Sequence, residues 1–196
     1  VDIAEREAVD AVVVAGDLYD SFNPSIEAIE LFYKTLKRLA GNGKRPVIAI
    51  AGNHDSPDRA EAPDPLAREC GILFAGYPHS MPTPFVLESG LQVTQADGGF
   101  MELQLPDSAV PLRLLLTPYA NEYRLKTYLG HEESDQELRT LLQERWRELA
   151  DRYCDARGVN LLVSHLFVVK KGEPLPEEPE DEKPILHVGG AQAIYS

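Results

Sequence analysis

Two short apolar runs, each ending in a glycine and a cluster of polar side chains, constrain this chain most. Ala11-Val12-Val13-Val14-Ala15 leads into Gly16-Asp17-Leu18-Tyr19-Asp20, and Val47-Ile48-Ala49-Ile50-Ala51 leads into Gly52-Asn53-His54-Asp55. Both runs are short, β-branched and apolar without alternation, the pattern of strands buried on both faces of a parallel sheet. Ligands of such sheets gather in the crevice at the carboxyl ends of the strands. Asp17, Asn53 and His54 therefore leave the sheet where an active site would form, and the glycine before each polar group lets the backbone turn sharply. A third run, Val159-Asn160-Leu161-Leu162-Val163, ends in Ser164-His165 and brings another imidazole to a strand end. A carboxylate, an amide oxygen and an imidazole form a mixed donor set that suits Mn, Fe or Zn better than Ca.

Between these motifs the chain alternates helix and strand signals. Residues 2–9 read as the end of a helix. Asn23 and Pro24 supply a cap and a first-turn proline for a helix whose apolar positions run from Ile26 to Leu39. Residues 58–69 read as loop and helix, and Ile72-Leu73-Phe74 as a short strand. Segments 85–88, 91–94, 101–105 and 112–117 read as strands joined by Gly, Asp and Pro turns, which predicts a second sheet packed on the first. Ser134-Asp135-Gln136-Glu137 is a capping box. The apolar stripe Leu138, Leu141, Leu142, Trp146, Leu149, Tyr153 and Cys154 follows it, with Gly158 as the expected terminator and Trp146 as a core residue.

Composition narrows the class. At 196 residues and 43% hydrophobic the chain can bury one substantial core. It has no 18-residue apolar stretch and no signal-like amino terminus, so no membrane partner is expected. Two cysteines, Cys70 and Cys154, cannot build a disulfide framework and fit a reducing cytoplasm. The net charge of −13 argues against a nucleic-acid partner. Residues 173–182 alone hold six acids, however, so the negative charge concentrates away from the motifs. With four prolines, residues 170–184 read as an exposed, flexible acidic loop.

The order GD, GNHD, SH resembles the calcineurin-like metallophosphoesterases. Gly16-Asp17-Leu18-Tyr19-Asp20 with Asn23-Pro24-Ser25, Gly52 to Arg59 as GNHDSPDR, and Val188-Gly189-Gly190-Ala191 are similar to segments of the SbcD nuclease branch. The resemblance implies an α/β fold, a layered β-sandwich flanked by helices. It also implies that residues 1–196 are the central part of one nuclease domain, truncated at both ends. The family's D-x-H and G-H-x-H motifs, which supply further metal ligands, are not in this stretch; Gly130-His131-Glu132-Glu133 lacks the second histidine. By itself the piece is expected to be weakly active or inactive.

Carried onto these residues, the family pattern makes Asp17 a carboxylate bridging two divalent ions, Mn the expected metal. Asn53 and His165 become ligands of the second ion. His54 becomes the catalytic group facing phosphate, and Asp55 either orients its ring or caps a loop. Arg59 is a weak candidate for a DNA phosphate, against a plain loop arginine. Asp20 organises its turn or takes part in catalysis; His79 reads as a surface residue and His187 as structural. The implied activity is 3′ to 5′ exonuclease and single-strand or hairpin endonuclease at DNA ends, in break repair and recombination. The implied partners are an SbcC-type ATPase and a second copy, with the helix at 24–40 as a candidate dimer contact. A small-substrate phosphoesterase and a non-catalytic DNA-end-binding scaffold are the alternatives.

Overall fold

The computed structural model describes residues 1–120, 124, 135–169 and 193–195. A helix α1 (Asp2–Arg6) precedes strand β1 (Val12–Ala15). Helix α2 (Ile26–Ala40), strand β2 (Val47–Ile50), short helices α3 (Pro57–Glu61) and α4 (Asp64–Ala67), a 3₁₀ turn at Arg68–Cys70 and strand β3 (Ile72–Ala75) follow. Then come β4 (Gln92–Asp97), β5 (Phe100–Gln104), β6 (Leu112–Thr117), α5 (Asp135–Tyr153), β7 (Val159–Ser164), β8 (Phe167–Val169) and β9 (Ala193–Tyr195).

The strands form a parallel sheet in the order β1-β2-β3 and a mixed sheet in the order β4-β5-β6-β7, with a parallel β8-β9 pair apart. Alternate residues of β2 explain its unbroken apolar run. Ile48 and Ile50, with Leu73 and Ala75 of β3, pack against Met101, Leu103, Leu114 and Leu116 of the second sheet. Val47 and Ala49 turn the other way, onto Leu36 and Ala40 of α2. The far face of the second sheet is covered by α5, where Phe100 and Leu115 meet Leu149. The order helix, sheet, sheet, helix is the layered sandwich expected, and each fully buried aliphatic side chain contributes about 1.5–3 kcal/mol.

Several expected boundaries move. Helix α2 is capped by Ser25, whose hydroxyl accepts the Ala28 amide, and Pro24 lies outside it. A serine oxygen one residue before the first turn reaches the amide that Asn23, two residues further out, cannot. Residues 85–88 form only a single bridge, Val86 to Gln92. Helix α5 ends at Tyr153, well before Gly158. There Gly158 serves close approach, since a Cβ would sit 2.9 Å from the Pro111 carbonyl. Neither β1 nor β7 is buried as its composition suggests. Val13 of β1 is exposed, and Val159, Leu161 and Leu162 of β7 are 42–49% exposed. Among the described residues each has a strand partner on one side only. Ser134 of the capping box, His187, the 170–184 segment and the 188–191 motif lie outside the described residues.

Cys70 and Cys154 are free thiols, both half-buried. Among the described residues no helix is long and apolar enough to cross a membrane.

Candidate metal centre

Three strand ends meet at one edge of the sandwich. Strand β1 ends at Ala15, and Gly16 and Asp17 then turn with φ of 100° and 44°. Positive φ at a non-glycine residue costs about 1 kcal/mol or more, so Asp17 is held by its surroundings. Those surroundings leave no room for side chains at either motif glycine. A Cβ on Gly16 would lie 1.9 Å from Nδ1 of His165, and one on Gly52 would lie 2.1 Å from Oδ1 of Asp17. His165 arrives from the other sheet, its amide donating to the Thr117 carbonyl at 3.1 Å.

The polar atoms then gather in an unusual way. His165 Nδ1 lies 2.9 Å from the Ala15 carbonyl oxygen, which can only accept, so Nδ1 carries the proton. In the neutral ring Nε2 is left with its lone pair. That nitrogen lies 2.9 Å from Asn53 Oδ1 and 3.5 Å from Asp17 Oδ1. With the ring neutral, three lone-pair donors gather here, while the buried Asn53 Nδ2 has no hydrogen-bond partner. Ligand atoms around one ion at ~2.1 Å stand roughly 3.0–3.4 Å apart, so these separations fit a bound divalent cation. Among the described residues no three His, Cys, Asp or Glu side chains cluster this way. The set is one carboxylate, one imidazole and one amide.

The loop carrying Asn53 is fixed by Asp55, only 2% exposed. Its Oδ2 accepts the amides of Gly52 at 2.7 Å and Leu18 at 2.9 Å, and its Oδ1 accepts Tyr19 at 3.1 Å. One carboxylate thus ties the GD turn to the GNHD turn; of the two roles expected for Asp55, these bonds describe the loop cap. Asp17 Oδ1 also accepts the His54 amide at 3.3 Å. His54 itself is half-buried. Arg59 reaches back to the first loop, donating to the Phe22 carbonyl at 3.2 Å and Asn23 Oδ1 at 3.1 Å. Those bonds match the plain loop-arginine alternative. Asp20 is exposed on the same loop.

Sequence reasoning missed Arg124 and Tyr119. Arg124, 8% exposed, donates to the carbonyls of Gly52 at 3.0 Å, Tyr119 at 3.2 Å and Asp55 at 2.7 Å. Its guanidinium carbon stands 5.1 Å above the Tyr119 ring. Burial pulls the Arg124 pKa down and pushes the Tyr119 hydroxyl up. No motif marks either residue. Their only sequence signal is that they follow a strand end. His79, expected at the surface, is instead half-buried. It lines a cavity of about 360 Å³ with Trp146, Thr117 and Leu149, and burial lowers its pKa. Trp146 is core-facing as expected, donating Nε1 to Thr117 Oγ1 at 2.7 Å.

Fold and motif order agree with the comparison to known families. The calcineurin-like phosphoesterase family matches residues 1–172, and the chain belongs to that family. Three of its relatives are SbcD components of the nuclease SbcCD. It is 32% identical over 196 residues to the SbcD component of the nuclease SbcCD from Bacillus subtilis, covering 98% of this chain and 44% of that protein. The SbcD component from Rhodobacter capsulatus is 41% identical over 76 residues, 38% of this chain and 19% of that protein. That of Staphylococcus epidermidis is 49% identical over 55 residues, 28% of this chain and 15% of that protein. The matched stretch covers less than half the length of each of these relatives.

Proposed function

We propose that this chain carries part of the active centre of a metal-dependent phosphodiester hydrolase, a DNA nuclease of the SbcD type. The observation that supports this most is the convergence of Asp17 Oδ1, Asn53 Oδ1 and His165 Nε2 beside an Asn53 Nδ2 that has no hydrogen-bond partner. In this reading Asn53 and His165 would hold one divalent ion and Asp17 would be shared with a second, Mn being the metal. When bound, two such ions lower the pKa of a water and neutralise charge on the phosphoryl oxygens. An amide ligand suits the task because it adds no negative charge against the substrate.

The protein's own groups complete the reaction. Asp55 keeps the two turns in register. His54, next to a ligand but not part of the ligand set, holds a proton for the leaving 3′ or 5′ oxygen as its bond to phosphorus breaks. DNA ends and hairpins are the substrate class, and an SbcC-type ATPase and a second copy are the partners. The setting is a reducing cytoplasm. Arg59 stays the weak candidate for a DNA phosphate, by whatever donors its loop bonds leave over.

The net charge of −13 favours a second reading, a phosphoesterase of small esters, because duplex DNA needs basic surface. One experiment separates them. The complete protein is assayed with Mn on a hairpin DNA, on single-stranded DNA and on bis(p-nitrophenyl) phosphate, beside an Asp17→Ala control. DNA cleavage lost in the control supports the nuclease. Cleavage of the aryl ester with intact DNA supports the small-substrate enzyme. Activity unchanged in the control overturns both.

A further inference from the structure

The geometry points to Arg124 as the positioning residue that holds the Asn53-His54 pair in its working shape. This rests on the phosphoesterase reading above. Three of the guanidinium's N–H groups are spent on carbonyls, and two of those carbonyls, Gly52 and Asp55, bracket Asn53 and His54. The third, Tyr119, belongs to a residue whose own amide donates to the Ala51 carbonyl at 2.9 Å. The loop is therefore gripped from two sides. Asp55 holds its amide side through the Gly52 N–H, and Arg124 holds its carbonyl side.

A planar fork is suited to this work, because one rigid group can satisfy several fixed carbonyls at once; a lysine ammonium on a flexible stem cannot match that geometry. The site also explains why a cation is tolerated when only 8% of it is exposed: carbonyl dipoles, the Tyr119 ring and the nearby carboxylates of Asp55 and Asp17 all favour the charge. Without Arg124 the two bracketing carbonyls would be buried and short of donors. The loop would relax, and Asn53 Oδ1 would leave its 2.9 Å approach to His165 Nε2. Groups that hold a ligand in place in this way typically change metal affinity or activity about 10- to 100-fold.

The test uses Arg124→Met and Arg124→Lys in the complete protein. Arg113→Met is the control, another buried arginine, whose partners Glu102 and Asp155 lie outside the metal cluster. Three readouts are compared: Mn affinity by titration, hydrogen exchange of the amides of residues 52–55 without metal, and the unfolding midpoint. Arg124→Met should weaken Mn binding at least tenfold and speed exchange of the loop amides by a similar factor. Arg124→Lys should fall between, and Arg113→Met should lose stability with affinity and loop exchange within twofold of wild type. Arg124→Met with wild-type affinity and loop protection overturns the assignment. If Arg124→Met does not fold, Arg124→Lys decides: at least threefold weaker binding or faster loop exchange supports it, and wild-type values overturn it. Unfolding of both Arg124 variants while Arg113→Met folds would mean a general support of the fold, and also overturns it. Loop exchange needs neither metal nor turnover, so a wild-type protein that fails to bind Mn or cleave phosphodiesters rejects the functional reading while leaving Arg124 fully tested.

Discussion

Two clusters of charged and polar groups sit in this molecule, and they are built on opposite rules. Across the second sheet, Arg113 is matched on both sides, by Glu102 at 2.7 Å and Asp155 at 2.7 Å. Every group there has an opposite partner, and Arg157 adds a further donor to Asp155. At the edge where β1, β2 and β7 end, Asn53 Oδ1 and Asp17 Oδ1 stand 2.9 Å and 3.5 Å from His165 Nε2, and Asn53 Nδ2 has no hydrogen-bond partner. The first arrangement is complete as it stands. The second is the donor set that the proposed metal would occupy.

The comparison breaks most sharply at His54. In the complete protein His54→Ala should lose turnover by roughly 10²–10⁴-fold while keeping metal, as expected for a proton donor. His165→Ala should instead lose metal from the site it shares with Asn53. Metal content and single-turnover rate measured together tell these apart, and equal metal loss in both variants would sink the division of roles.

Asp55→Ala comes next. It strands the amides of Gly52, Leu18 and Tyr19. At roughly 1–3 kcal/mol for a buried unmatched group, with some relief from water, a loss of about 3 kcal/mol is expected in urea unfolding. A change below about 1 kcal/mol would show that the two turns hold their register without it.

The matched cluster should respond differently. Arg113→Met alone should cost about 2 kcal/mol, less than a fully enclosed pair because the Asp155 side chain is 34% exposed. Adding Glu102→Leu and Asp155→Asn should restore most of that loss, since an ion network can be exchanged for apolar packing. The same logic applied to the metal cluster should restore nothing: Asp17→Leu with His165→Leu should abolish Mn binding whatever it does to stability. Recovery of Mn binding there, or no recovery of stability in the Arg113 triple variant, would erase the contrast.

The smallest effect is in pH. Burial lowers the His79 pKa, so the unfolded chain takes up a proton first as pH falls. Stability is therefore full above about 6.5 and declines below it. The Asp155 carboxyl is held well below the usual range by hydrogen bonds from Arg157 and Arg113. Asp97 lies below its ordinary value too: burial opposes ionisation but is outweighed by bonds from Gly98, Tyr153 and Arg145. Their contribution is present above about pH 4 and is lost under more acid conditions. Urea midpoints against pH should show two descending steps, with His79→Gln removing the upper and Asp155→Asn shrinking the lower. A single step untouched by His79→Gln would be the contrary result.

Much of the frame could be read directly. The unbroken run of β2 reports burial on two faces, and β2 is indeed enclosed between α2 and the second sheet. The same reasoning misjudged β1 and β7, whose runs look alike but leave Val13, Val159, Leu161 and Leu162 exposed. Apolar composition says that a strand can be covered; it does not say on how many sides. The helix cap moved from Asn23 to Ser25 for a local reason of the same kind, since several polar residues in a row can each cap and only the backbone path selects one.

What the residues determined alone is local: a strand and a polar group released at its carboxyl end, three times over, with a glycine to free the turn in the first two. Those features depend on neighbours a few positions apart. What only the tertiary structure decided is the meeting of those ends. His165 and Ala15 are 150 positions apart, and Arg124 reaches Gly52 across 72. No periodicity encodes such contacts, because they form only when two separately built sheets pack and bring distant turns to one edge. Asp55 shows the limit most clearly. Beside His54 in sequence it could orient a ring or cap a loop, and the packing of the GD turn against it put two more amides on a carboxylate that already accepts the Gly52 amide.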